Sequence, residues 1–353
     1  MSNAPVAAAA PLRGTIHSIQ MMRAIAAMLV VWFHAQHAFA TSVSRPLIAA
    51  ESHLFSFGAV GVHIFFVISG FIMVYTTREK SYSIGAFYRR RLIRIYPIYW
   101  ICAALTLAGF ALAGTPWDRE LTMLVAALFL LPGSAAAIIP PGWTLAFELL
   151  FYLCFGVAML AGLTRGLIAL TALFLATIAL GVAMPVDNAF IEMLGSPLLL
   201  EFVAGAGVAW LLVRGRLPRR GGLLLVALSI GLFAIGIVAG FDRVPRVISW
   251  GVPSWLLITG LVMAEQNGLP QWVRRIGFFG DSSYALYLIH WIVVVLAVKA
   301  VLSVDGFHPE PAVAAVALGF VTLGIAEWLH RRVERVMLRW LNPQRALVPP
   351  RAP

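Results

Sequence analysis

Arg23 and His34 lie on the first apolar run, eleven positions apart. At 100° per residue that spacing returns to within about 20° of one helix face, roughly 16 Å further along. One face would therefore carry a guanidinium near one end and an imidazole toward the other. Ionisable groups inside an apolar segment are costly, and their default reading is functional. The blander reading is a snorkelling arginine and a histidine bonded to a neighbouring carbonyl; the two residues together favour function. His37, three residues on, reads as interfacial. His63 and Ser69 lie in Gly61-Val62-His63-Ile64-Phe65-Phe66-Val67-Ile68-Ser69-Gly70, which places His63 at a depth similar to His34. Either histidine could act as a base. Gly58, Gly61 and Gly70 read as sites of close helix packing.

The run Tyr88-Arg89-Arg90-Arg91-Leu92-Ile93-Arg94 leads into the third apolar segment. Basic flanks are ordinary at that place, so Arg89 and Arg90 need no further role. Arg91 and Arg94 differ: they share a face at i, i+3, and Arg94 is already inside the apolar run. A fork of guanidiniums at that depth suits a phosphate-bearing ligand. Glu148 is a lone carboxylate in Gly142-Trp143-Thr144-Leu145-Ala146-Phe147-Glu148-Leu149-Leu150-Phe151-Tyr152, with Tyr152 on its face at i+4. A carboxylate in lipid must be protonated or paired, which predicts a nearby His or Arg. His290 follows Tyr284 and Tyr287 at helical spacing, and reads as part of a polar stripe lining a bundle. Glu201 and Glu327 also fall within apolar runs.

These residues need helices to hold them, and the composition says what kind. The 353 residues are 61% apolar and 12% charged. A soluble domain carries about twice that share of charge, so a water-soluble enzyme, a disordered chain and a coiled coil are excluded. A polytopic membrane protein remains, embedded in a lipid bilayer. Apolar runs fall at about 17–38, 55–76, 92–113, 121–131, 143–162, 166–184, 191–213, 222–240, 246–264, 281–302 and 311–330. The run at 121–131 is too short to span.

Charge placement sets the topology. The net charge is +11, from 26 Lys+Arg against 15 Asp+Glu, and the only lysines are Lys80 and Lys299. The link with Arg78, Lys80, Arg89, Arg90, Arg91 and Arg94, and the link with Arg214, Arg216, Arg219 and Arg220, should both be cytoplasmic. An even number of crossings must separate them, which removes 121–131 as a span. The expected fold is an all-α integral membrane bundle of about ten transmembrane helices, with a short re-entrant or surface helix near 121–131. Arg165, Arg274, Arg275, Arg331, Arg332, Arg335 and Arg339 then lie inside; Asp187, Glu192, Asp305 and Glu310 lie outside. The 240–246 loop, with Asp242, Arg243 and Arg246, is a mild exception. Residues 1–15 read as a cytoplasmic tail, 16–335 as the membrane domain and 336–353 as a basic, Pro-rich cytoplasmic tail. Arginines interleaved with apolar runs argue against nucleic-acid binding. Residues 24–39 read as a functional span rather than a signal peptide, because they follow Arg23 and carry His34 and His37.

Common catalytic motifs are absent: no G-x-x-x-x-G-K-[ST], no G-x-G-x-x-G, no G-x-S-x-G and no C-x-x-C. No metal is expected. Cys102 and Cys154 read as small buried hydrophobes. The residues alone leave two classes open. One is a membrane-embedded transferase with a His base and an Arg anchor for a charged donor. The other is a proton-coupled transporter of envelope material using the same His, Glu and Arg residues as a relay.

Five blocks in order resemble the acyltransferase 3 family of membrane acyltransferases, over about residues 16–335. They are Ile19-Gln20-Met21-Met22-Arg23-Ala24 through Trp32-Phe33-His34; Gly61 through Phe71; Phe87 through Pro97; Trp143 through Glu148 with Phe151-Tyr152; and Ser283 through Trp291. The phrases around Ser69 and Glu148 look closest to its exopolysaccharide O-acetyltransferase branch. His63 departs from the pattern, since many members carry an acidic residue there. The resemblance implies acetyl-CoA as donor and, as acceptor, a hydroxyl of an exopolysaccharide, another envelope glycan or a lipid-linked oligosaccharide precursor. The setting it implies is a bacterial inner membrane, with both termini cytoplasmic. It implies that Arg91 and Arg94, with Arg90 and Tyr88, hold the donor phosphates, and that Arg23 lies further along the same path. His34 would be general base or covalent acyl carrier, with Glu148 orienting or charge-compensating it. A base poised near neutrality contributes typically 10²–10⁴-fold to attack by a sugar hydroxyl. The oxyanion also needs a donor, and Ser69, Tyr152 and Trp143 are all candidates. His63, Tyr284 and His290 complete the set expected around the pocket.

Overall fold

The computed structural model describes residues 14–42, 56–78, 82–240, 244–304 and 309–341. Lys80, Asp242, Arg243 and Asp305, used in the topology argument, lie outside the described residues, as do 1–13 and 342–353. Among the described residues every regular element is helical. In chain order these are α1 (His17–Ser42), α2 (Val60–Thr77), α3 (Ile84–Leu112), α4 (Leu121–Leu128), α5 (Trp143–Ala158), α6 (Leu163–Ala183), α7 (Ala189–Leu194), α8 (Leu199–Val213), α9 (Gly222–Ala239), α10 (Val252–Glu265), α11 (Gln271–Gly277), α12 (Ser283–Leu302), α13 (Pro311–Leu329) and α14 (Arg335–Leu341). Among the described residues, ten helical runs are long and apolar enough to cross a membrane, α7–α8 and α13–α14 each counting as one. The structure is a polytopic helical membrane bundle, as the apolar periodicity and charge parity predict.

With no water between lipid-embedded helices, close backbone approach does the packing. α2 is the most enclosed span, with 72% of its most apolar stretch buried, against 17% for α9 on the periphery. Three glycines of the α2 segment explain this. Gly58 and Gly61 lie against the backbone of α1, and Gly70 lies against the Phe202 carbonyl of α8. Gly205 of α8 returns the contact against the Val67 carbonyl. α1 runs through the middle, packed on α2, α11, α12 and α13. Its first turn is capped from another helix: Glu265 accepts from the His17 and Ser18 amides at 2.7 and 2.9 Å and from Ser18 Oγ at 2.5 Å. A carboxylate there satisfies orphan N–H groups and suits the positive end of the helix dipole.

The segment at 121–131 forms α4, eight residues long and far too short to cross. It runs back beside α3 and ends near the middle of that helix. Its last carbonyls, past the regular helical ladder, accept from α3 side chains: Tyr99 to Ala127 (2.7 Å), Trp100 to Leu128 (2.9 Å) and Tyr96 to Phe129 (3.0 Å). Leu130 then adopts φ 55°, a left-handed conformation that glycine usually fills. The amides of Leu130 and Leu131 close the helix onto Ala127 and Ala126. The chain turns through Pro140-Pro141-Gly142 into α5, which packs on α3.

Candidate active site

The bundle encloses a cavity of about 590 Å³ bordered by α1, α2, α3, α5, α12 and the C-terminal α14. Arg23, Arg90, Arg91 and Arg94 all border it, together with Ser69, Glu148, Tyr152 and Tyr284. α1, α3 and α5 thus supply four guanidiniums and one carboxylate to a single space, and Asp281, just before α12, adds a second carboxylate.

Each of three arginines is held by its own partner. Arg23 Nη1 donates to Gln20 Oε1 at 2.8 Å, and Gln20 Nε2 donates to Asp281 at 2.7 Å. Arg91 Nη2 donates to Thr76 Oγ1 at 3.1 Å, one helix away. Arg94 Nη1 donates to Glu334 Oε1 at 3.0 Å. Glu334 is fully buried, and its second oxygen bonds His330 Nδ1 at 2.8 Å. A π-helical segment, His330–Glu334, links α13 to α14 and carries both residues. The i, i+3 spacing of Arg91 and Arg94 does bring both to the cavity. Tyr88 stands outside the lining; its hydroxyl donates to Leu153 O at 2.8 Å and its ring fills the space left by Gly156, pinning α3 to α5.

Glu148 accepts from Ser69 Oγ at 2.9 Å and from the Tyr152 hydroxyl. The i+4 relation to Tyr152 is borne out as a direct bond. These two hydroxyls, and not His34, are the partners Glu148 bonds. Tyr284 donates to Ile95 O at 3.2 Å. Trp143 packs its ring on Phe66 and Phe147 and does not border the cavity.

His34 and His290 stand just past one end of this space. Tyr287 borders the cavity, and its ring lies 5.9 Å from that of His290. The two imidazoles approach with Nδ1 of His34 3.3 Å from Nε2 of His290. His290 is fully buried and faces Tyr287 O through Nδ1 at 2.8 Å. His34 faces Val30 O through Nδ1 at 2.9 Å, with Trp291 edge-on at 5.7 Å. The sequence placed these histidines in separate blocks; the structure makes them a pair.

His63 lies elsewhere. Its Nδ1 is 2.6 Å from Glu201 Oε1, both side chains are buried, and Trp250 meets its ring edge-on at 5.3 Å. This α2–α8 pair faces away from the cavity, whose α2 wall is formed by residues such as Val62, Phe65 and Phe66. Glu201 and Glu334 are among the acids whose partners the sequence did not reveal. Glu334 had a signal in the i, i+4 spacing from His330, hidden among arginines read only for topology. Glu201 had none, since its partner is 138 positions away. Glu327 pairs with Arg331 at 2.5 Å on the flank of α13.

A helical bundle with guanidiniums at one end of a cavity and two facing imidazoles past the other is compatible with both classes left open by the residues, a membrane-embedded transferase and a proton-coupled transporter, and the comparisons with known proteins decide between them. The chain belongs to the acyltransferase family, whose model, described as an acyltransferase domain, matches residues 16–331. It is therefore a membrane acyltransferase. It is 36% identical over 304 residues to the exopolysaccharide production protein ExoZ of Rhizobium meliloti, covering 82% of this chain and 93% of that one. It is 27% identical over 358 residues to the acyltransferase MdmB of Streptomyces mycarofaciens, covering 89% and 91%. Nodulation protein 10 of Rhizobium leguminosarum bv. viciae is 27% identical over 317 residues, covering 80% and 83%. No solved structure matches significantly.

Proposed function

We propose that this chain is an O-acetyltransferase of the bacterial inner membrane. It moves an acetyl group from cytoplasmic acetyl-CoA to a hydroxyl of an exopolysaccharide, another envelope glycan or its lipid-linked precursor. The observation that carries the reading is the polarity of the cavity. Arg90, Arg91, Arg94 and Arg23 border it, and Tyr287, also on its wall, has its ring 5.9 Å from that of His290, which pairs with His34. A donor that fits must carry its phosphates far from its reacting carbon, as a coenzyme A thioester does. Guanidinium forks suit those phosphates. The positive-inside rule puts this arginine-rich end, and both termini, in the cytoplasm.

His34 is the base in this reading. Arg91 and Arg94 hold the phosphates, Arg90 borders the mouth, and Tyr88 keeps α3 on α5. Arg23, fixed by Gln20, lies further along the path. Glu148, held by Ser69 and Tyr152, offsets positive charge around the cavity and orders both hydroxyls. The name of the ExoZ relative supports a polysaccharide acceptor.

The test is mass spectrometry of the cell polysaccharide with and without the gene, joined to transfer assays with labelled acetyl-CoA. A shift of one acetyl unit per modified sugar is expected, and its absence would refute the acceptor class. His34→Ala should abolish transfer while the protein still inserts; wild-type acetylation in that variant would refute the base assignment.

A further inference from the structure

We propose that His290 is a positioning residue that locks His34 in the tautomer whose free lone pair is on Nε2. The inference rests on the reading of His34 as the base and adds which atom does the work and what holds it there.

A carbonyl oxygen only accepts hydrogen bonds, so a ring nitrogen facing one must carry hydrogen. His290 Nδ1 faces Tyr287 O at 2.8 Å, so it is N–H. In the neutral ring its Nε2 then has a lone pair and accepts. His34 Nδ1 faces Val30 O at 2.9 Å and is likewise N–H. That same hydrogen points between Val30 O and His290 Nε2, which is 3.3 Å away, as a shared three-centre bond. Were His290 charged, two N–H groups would face one another across that gap. Its complete burial among apolar side chains opposes the charge as well.

With Nδ1 of His34 committed, Nε2 is left to take a proton. The step balances. The acceptor O–H gives its proton to His34 Nε2 as its oxygen bonds the thioester carbonyl carbon. The C–S bond breaks, and the proton passes from Nε2 to the leaving sulfur as free thiol. While His34 is an imidazolium, its Nδ1–H still meets two acceptors. A neighbouring acceptor that fixes tautomer and orientation is the part a carboxylate plays in Ser-His-Asp triads. Here a neutral imidazole fills it, without placing a second charge in the lipid-embedded bundle. The edge-on ring of Trp291 and the ring of Phe33, 5.0 Å from His34, restrict rotation further.

The experiment compares His290→Phe, His290→Gln and His34→Gln in proteoliposomes, measuring kcat and both KM values. His290→Phe keeps the ring volume but removes the acceptor, and should lower kcat by about 10²-fold with both KM values within twofold. His290→Gln places an amide oxygen where Nε2 stood, and should recover at least a factor of about 10. A merely structural role would not be rescued selectively in kcat. Full activity in His290→Phe beside an inactive His34→Gln would overturn the positioning role and leave the base intact. An active His34→Gln would overturn the base reading itself. Should the Phe variant misfold, nitrogen NMR of the wild-type protein in nanodiscs decides the matter. His34 is expected to carry hydrogen on Nδ1 and His290 to carry none on Nε2. Hydrogen on Nε2 of His290, or on Nε2 alone of His34, would overturn the proposal.

Discussion

Arg94→Met removes a guanidinium and leaves Glu334 where it is. Glu334 is 0% exposed, so its carboxylate loses a partner it cannot replace with water. Stranding a buried charge in this way costs about 3–5 kcal/mol. Two features reduce the figure. Arg94 is 33% exposed, so solvent already screens the pair, and His330 still bonds the other oxygen. A loss of about 1–3 kcal/mol remains. Glu334→Gln keeps the shape without the charge and should cost less. In the double variant no charge is stranded, so its loss should fall short of the sum by about 1 kcal/mol or more. Thermal midpoints in detergent report this at about 1–2 °C per kcal/mol for a chain of this length. If Arg94 also binds a donor phosphate, a charge-assisted bond of about 1.5–3 kcal/mol disappears. The KM for acetyl-CoA in Arg94→Met should then rise about tenfold or more, with the acceptor KM unchanged. Additive midpoints would refute the ion pair as an energetic unit. An unchanged donor KM would refute the phosphate role.

Two glycines of α8 offer a controlled comparison. A Cβ at Gly205 would strike the Val67 carbonyl, whereas one at Gly207 meets nothing within 4 Å. Gly205→Ala should separate α2 from α8 and lower both the thermal midpoint and activity; Gly207→Ala should be neutral or stabilising by up to about 1 kcal/mol. Equal effects would mean that the α2–α8 approach is not needed. His63→Leu should destabilise by about 1–3 kcal/mol by leaving the buried Glu201 carboxyl without its hydrogen-bond partner, yet leave both KM values alone. Lost turnover at unchanged stability would instead make His63 the base. Leu130→Gly relieves a left-handed residue worth about 1–2 kcal/mol but empties a buried site, so a net loss of about 1–3 kcal/mol is expected. A raised midpoint would show that packing does not hold Leu130 in place.

The ten spans were legible because lipid imposes a length and a composition on every crossing, and arginine placement fixes parity. Short-range spacing was equally readable: Glu148 with Tyr152 at i+4, and Arg91 with Arg94 on one face. Rejecting 121–131 as a span needed only its length and the parity set by the arginine-rich links. What it does with its free carbonyls did need the fold, because Tyr96, Tyr99 and Trp100 come from another helix. Pairings across the bundle were hidden for the same reason. Glu201 reads as one more acid in an apolar run until α8 is laid against α2. Glu334 reads as one charge among the arginines after the last apolar run until α14 closes on α3.

His34 shows the division most clearly. Its type, its apolar surroundings and its distance from Arg23 marked it as a residue with work to do. Which of its nitrogens is free depends on a carbonyl one turn back and on an imidazole 256 positions away. Helical periodicity determines the first contact and helix packing the second. Side-chain chemistry is local, but the partner that orients a side chain is set by which helices meet.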